Sequence, residues 1–157
     1  MFKRKIIIGI LFVFLVLLAS CGGKKYPPYE EIYEKLDNAG YMVRGMTTED
    51  EVLEAVQEIV DSYNELDPES HSGYFSSYPQ MDANKIHVEK CIVAEKGKSL
   101  AFFFYCADEE SAVMIGHALN ALYSITIGQQ MGGQDDNFAY LFSADVNDIL
   151  KIRKDDY

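Results

Sequence analysis

The residues with reactive chemistry are three cysteines (Cys21, Cys91, Cys106), three histidines (His71, His87, His117) and a Ser70-His71-Ser72 run. A metal site needs ligands that converge, as histidines at i, i+4 or a Cys-x-x-Cys pair do, and neither spacing occurs. His117 falls inside a helical pattern and is expected on a helix flank rather than as a ligand. Asp135-Asp136-Asn137, after Gly132-Gly133, offers calcium-type oxygens. Without EF-hand spacing and a closing Glu it reads as a capped, solvated turn. Gly128-Gln129-Gln130-Met131-Gly132-Gly133 follows a helix and carries no Lys, so it is not a phosphate cradle, and glycines at positive φ account for it. No metal and no cofactor is expected.

Nucleophilic catalysis needs Ser or Cys with a base in reach. Ser70-His71-Ser72 puts both types in one loop, which makes a small hydrolase using the His71 loop an alternative reading. Against it, sequence neighbours rarely orient for proton transfer, and Gly-x-Ser-x-Gly is absent. Cys91 and Cys106 fall in strand patterns, where a buried cysteine acts as a small apolar residue. A turn at Lys96-Gly97-Lys98 sets Cys91 opposite about Phe102, with Cys106 roughly 13 Å further along its strand. A disulfide needs Cα atoms within about 7 Å, so free thiols are expected.

Tyr74, Phe75 and Tyr78, with Met81 close behind, are the candidate binding residues. They lie in the stretch from Asn64 to Lys85, which holds two prolines, several serines and no sustained period. Most connections are about 4–6 residues, so this length points to a functional loop. Irregular spacing keeps the three aromatics off any single helix or strand face. Asp67, Glu69 and Asp82 make their surroundings acidic, which favours cationic or glycan-like partners. The competing reading is an ordered Ω-loop whose aromatics close the core.

The elements that must position these residues follow from periodicity. Pro28 suits a first helical turn, and Tyr29, Ile32, Tyr33 and Leu36 form a helical stripe that stops at Gly40. Tyr41–Arg44 reads as a short strand. Thr48 and Glu51 make a capping-box pair ahead of Val52, Leu53, Val56, Ile59, Val60 and Tyr63, a helix to about residue 63. Ile86–Glu95 and Leu100–Cys106 read as a hairpin, the second strand aromatic enough to be central. Asp108 can cap a helix running to about Ile127, Asn137–Phe142 is a last strand, and Asp145–Lys154 a short terminal helix. After the first helix the order is that of βαββαβ ferredoxin-like domains. The expected fold class is therefore α+β: a two-layer sandwich with an extra N-terminal helix and both main helices on one face. The alternative is another α+β sandwich with a three-stranded antiparallel sheet.

The chain opens with Lys3, Arg4 and Lys5, then Ile6–Leu18, apolar apart from Gly9, then Ala19, Ser20 and Cys21. That is the layout of an export signal, and its apolar stretch is shorter than the roughly 20 residues a spanning helix needs. Leu18-Ala19-Ser20-Cys21 resembles the lipobox of bacterial lipoproteins. The resemblance implies cleavage before Cys21 and acylation of its thiol, with two or more acyl chains making a stable anchor. It divides the chain into a signal peptide (1–20), a lipidated tether (21–28) and one α+β domain (29–157). It places the domain on the extracytoplasmic face of a cell membrane. A second, six-residue likeness, Arg44-Gly45-Met46-Thr47-Thr48-Glu49, is similar to a turn of small outer-membrane assembly lipoproteins and carries no function over.

Among its 157 residues the chain has 14 Lys+Arg against 25 Asp+Glu, a net charge of -11. Residues 1–20 remove Lys3, Arg4 and Lys5 and no acid, leaving 11 basic and 25 acidic side chains, net -14, on 137 residues. Such a chain is a poor binder of phosphate backbones, which excludes nucleic acid as a partner. The expected partners are the lipid bilayer, through Cys21, and an envelope protein or glycan. The sequence thus reads as a non-enzymatic binding or interaction module of the cell envelope. A purely structural envelope lipoprotein is the other alternative.

Overall fold

The computed structural model describes residues 26–66, 80–123 and 130–152. In chain order the elements are α1 (Tyr29–Asn38), β1 (Met42–Met46), α2 (Glu49–Asn64), a 3-10 turn (Ala83–Lys85), β2 (Val88–Lys96), β3 (Ser99–Cys106), α3 (Glu109–Tyr123), β4 (Gln130–Asp135), β5 (Phe138–Ser143) and α4 (Ala144–Leu150). The five strands form one sheet in the order β1-β2-β3-β5-β4, with every neighbouring pair antiparallel.

This is an α+β fold, but neither the ferredoxin-like arrangement nor the three-stranded alternative. In the ferredoxin-like order the first strand lies inside the sheet. Here β1 sits at one edge, paired with β2. A second difference is at Gly132 and Gly133, expected in a loop, which instead belong to the edge strand β4. Neither takes a positive φ; among the described residues only Gly40 and Gly97 do so among the glycines. Close packing is what requires glycine: a Cβ on Gly132 would come within 2.7 Å of Leu141 Cδ1 and 2.9 Å of Asn120 Oδ1. A strand built on two glycines lacks the side chains that make strands legible.

The layers also differ from the expectation. Alternation along β3 sends Phe104 and Cys106 to one face and Ala101, Phe103 and Tyr105 to the other. The first face joins Cys91, Ala139 and Leu141 under the apolar stripes of α2 (Val52, Val56, Ile59, Val60) and α3 (Ala112, Ile115, Ala118, Leu119). The second joins Ile92, Phe138, Tyr140 and Phe142 under α1 (Ile32, Leu36) and α4 (Val146, Leu150). The sheet is thus covered on both sides, which is why β3 and β5 read as continuous apolar runs. Phe103 and Phe104 are both fully buried, one in each core.

Local signals are realised in detail. Gly97 takes φ 64 in a two-residue turn between Lys96 and Ser99. This tight turn sets Cys91 opposite Phe104 rather than Phe102, two residues from the expected register. The Asp108 carboxylate accepts from Ser111 N at 2.7 Å, capping α3. The capping box is only half formed: Thr48 Oγ1 donates to Glu51 Oε2 at 2.7 Å and accepts from no helix N–H. Asp136 (φ 51) and Asn137 make the turn between β4 and β5.

The chain ahead of α1 is fastened to the sheet. Tyr26 is buried, stacked on Phe138 with ring centroids 4.4 Å apart and edge-on to Tyr105 at 5.8 Å. Its hydroxyl donates to Asn137 Oδ1, and Tyr105 Oη donates to the Pro27 carbonyl at 2.9 Å. At the opposite end of the sheet, Tyr41 Oη and Ser99 Oγ donate to the Asp145 carboxylate at 2.7 and 2.5 Å, tying the β2–β3 turn to the start of α4.

Candidate functional site

A cleft of about 320 Å³ opens between α2 and the β1–β3 part of the sheet. Among the described elements α3 packs on β3, β4 and β5 and α2 on β2, with neither packed closely on the β1 edge. Alternation along β1 puts Met42, Arg44 and Met46 on this side. Ala55, Glu58, Ile59 and Ser62 of α2, at i, i+3, i+4, i+7, line the facing wall. Val93, Leu100, Phe102 and Phe104 make the floor, and Leu122 and Tyr123 close the end nearest α3. Phe102 packs on the Tyr123 ring at 4.7 Å.

The electrostatics of this cleft are mixed. Arg44 stands at its mouth with no carboxylate partner in an ion pair among the described residues, while Glu58 and Glu95 supply negative charge to the rim. Burial pushes the Tyr123 phenol above its ordinary pKa, and Glu58 adds to this, so the hydroxyl stays protonated and able to donate. An apolar floor with cationic, anionic and hydroxyl groups at its edge suits a ligand with an apolar body and polar flanks on both sides.

The residues singled out in the sequence are dispersed. Cys21, His71 and the binding candidates Tyr74, Phe75 and Tyr78 lie outside the described residues. His117 sits between α2 and α3, edge-on to Tyr63 with ring centroids 5.7 Å apart, and burial lowers its pKa, favouring the neutral ring. His87 is exposed ahead of β2, its backbone N–H donating to Ser111 Oγ at 2.9 Å. Among the described residues no group of three His, Cys, Asp or Glu could hold a metal ion. Cys91 and Cys106 are free, buried thiols on the α2/α3 face, and burial pushes both up to about 12. They are not activated nucleophiles.

Sequence reasoning missed the cleft residues. Two signals pointed to them: Arg44 interrupts an otherwise apolar alternation on β1, and Ala55, Glu58 and Ser62 extend one flank of the α2 stripe with small and polar side chains. Neither discloses a cleft until the sheet order leaves β1 at an edge. No described helix is long and apolar enough to cross a membrane. Comparison with protein-family models, curated proteins and solved structures gives no match.

Proposed function

We propose that this chain is a bacterial lipoprotein, anchored by acylated Cys21, whose domain is a non-enzymatic binding module of the cell envelope. The signal layout and the Leu18-Ala19-Ser20-Cys21 lipobox support the anchoring. The observation that carries the binding role is the cleft: an open apolar floor beside Arg44, with Glu58 and Glu95 across the rim. Its volume takes one or two large side chains, which fits an extended segment of another envelope protein better than a whole folded partner. Tyr74, Phe75 and Tyr78 remain the proposed additional recognition surface, on the strength of the aromatic and acidic composition of their segment.

The test is photo-crosslinking in intact cells from a probe at Ser62, which is exposed on the cleft wall. A discrete envelope-protein adduct, mapped to one segment and lost on Ala55→Arg, supports the reading. Ala55→Arg fills the cleft without removing any core side chain. An identical adduct from a probe at Asp148 on α4, or no loss on Ala55→Arg, overturns it.

A further inference from the structure

From the Tyr26 latch we infer that the domain stands on the membrane by the end of the sheet that carries Tyr105, Phe138 and the β4–β5 turn. The cleft mouth is thereby turned away from the bilayer. This orientation rests on the anchoring reading above and adds to it a membrane-facing end and a partner-facing end.

The argument is one of reach. Tyr26 is not part of a loose leader: it is buried against Phe138 and Tyr105, and its neighbour Pro27 accepts the Tyr105 hydroxyl. Tyr26 is five residue steps from Cys21, and an extended chain spans at most about 3.6 Å per residue, so Tyr26 lies within roughly 18 Å of the anchored residue. The Glu95–Leu100 end of the cleft, by contrast, adjoins the β2–β3 turn. Lys98 in that turn is seven residues along β3 from Tyr105, about 23 Å farther off at 3.3 Å per residue. The cleft also lies on the α2/α3 face, whereas Tyr26 docks on the α1/α4 face.

Charge makes the domain stand rather than lie down. The end that carries Tyr105 also carries Glu89 at the start of β2, Glu109 and Glu110 at the start of α3, and Asp136 in the β4–β5 turn, all exposed, while Glu30 at the start of α1 is ion-paired to Lys90 at 3.8 Å. An anionic bilayer repels these groups within a Debye length of about 8 Å, while Lys24 and Lys25 keep the tether itself on the surface. A short basic strap under an acidic base is a spacer: it holds the domain close but out of contact.

The sequence contains no tryptophan, so single introduced ones report position cleanly. Glu109→Trp and Lys98→Trp full-length chains are expressed, and the mature lipoproteins are reconstituted in phosphatidylethanolamine/phosphatidylglycerol vesicles carrying a dansyl-labelled lipid. Energy transfer from position 109 should exceed that from position 98 by at least about twofold, given the separation along β3. Adding Tyr26→Ala should narrow this difference while the fold, read by circular dichroism, persists. Equal or reversed transfer with Cys21 acylated overturns the orientation alone. An unmodified Cys21 in the mass spectrum of the same preparation overturns the anchoring and the orientation together.

Discussion

Asn64 closes on Met81: its Nδ2 donates to the Met81 carbonyl and its Oδ1 accepts from the Met81 amide, both at 2.9 Å. The last residue of α2 thereby pairs, as a second strand would, with the chain returning seventeen residues later, just before the 3-10 turn that Asp82 caps. Both ends of the intervening segment are fixed at one point, next to the cleft wall. Asn64→Ala should remove two half-buried hydrogen bonds and cost about 1–3 kcal/mol in urea denaturation, at the net worth of about 0.5–1.5 each. An unchanged midpoint would show that the clamp contributes nothing.

The segment between Asn64 and Met81 carries the proposed recognition aromatics. A joint Tyr74→Ser, Tyr78→Ser variant should keep the wild-type melting temperature and lose the Ser62 crosslink. A drop of several degrees with the crosslink intact would make those tyrosines part of the core instead.

Phe103 and Phe104 face opposite ways along β3, yet both are fully buried, because helices cover both sides of the sheet. Truncating either to Ala should cost about 3–5 kcal/mol, the range for a buried aromatic. A sheet covered on one face only would show one expensive and one inexpensive substitution. Chemical denaturation of the two variants side by side distinguishes these outcomes.

Cys91 and Cys106 should resist thiol reagents until the domain unfolds. Both are buried, and burial raises both thiols to about 12, so almost no thiolate exists at neutral pH. A disulfide-exchange chromogen should titrate neither in the native protein and both in denaturant. A fast-reacting thiol in native protein would place that cysteine at an accessible surface.

The elements most legible in the sequence were those whose stability is local or strongly periodic. The stripe Val52, Val56, Ile59, Val60 gave α2, Asp108 gave the start of α3, and the continuous run Leu100–Cys106 gave the central strand. What escaped depended on long-range pairing. Gly132 and Gly133 conceal β4 because their role is to let Leu141 and Asn120 approach, a requirement no local propensity expresses. The second layer of helices was hidden because α1 and α4 lie at opposite ends of the described chain and meet on one face only through the sheet order. The cleft is a consequence of the same order, so Arg44 could not be tied to Glu58 and Ser62 from sequence. The Tyr41–Ser99–Asp145 cluster likewise joins residues 58 and 104 positions from Tyr41.

That cluster predicts a specific pH dependence. Burial alone favours the neutral form of Asp145, but the hydrogen bonds from Ser99 and Tyr41, together with those from the backbone N–H groups of Asp145 and Val146, outweigh it and hold the carboxyl below its ordinary value. A carboxyl whose folded pKa is depressed adds stability that is fully present above its unfolded pKa of about 3.9 and is lost as pH falls through the folded value. Asp145→Asn keeps the shape and one acceptor while removing the charge, so it should be less stable than wild type at neutral pH. Because Asp145 is solvent-exposed on one side, screening limits the deficit to about 1 kcal/mol or less. The gap between the two proteins should hold down to about pH 5 and close as the pH falls below 4. Exposed carboxylates elsewhere, such as Glu51 and Asp108, titrate identically in both chains and cancel in the comparison. Urea midpoints measured from pH 7 to pH 3 read the effect directly. A gap that stays constant across that range would mean that Asp145 acts through packing alone, and that the two hydroxyls above it do not stabilise its charge.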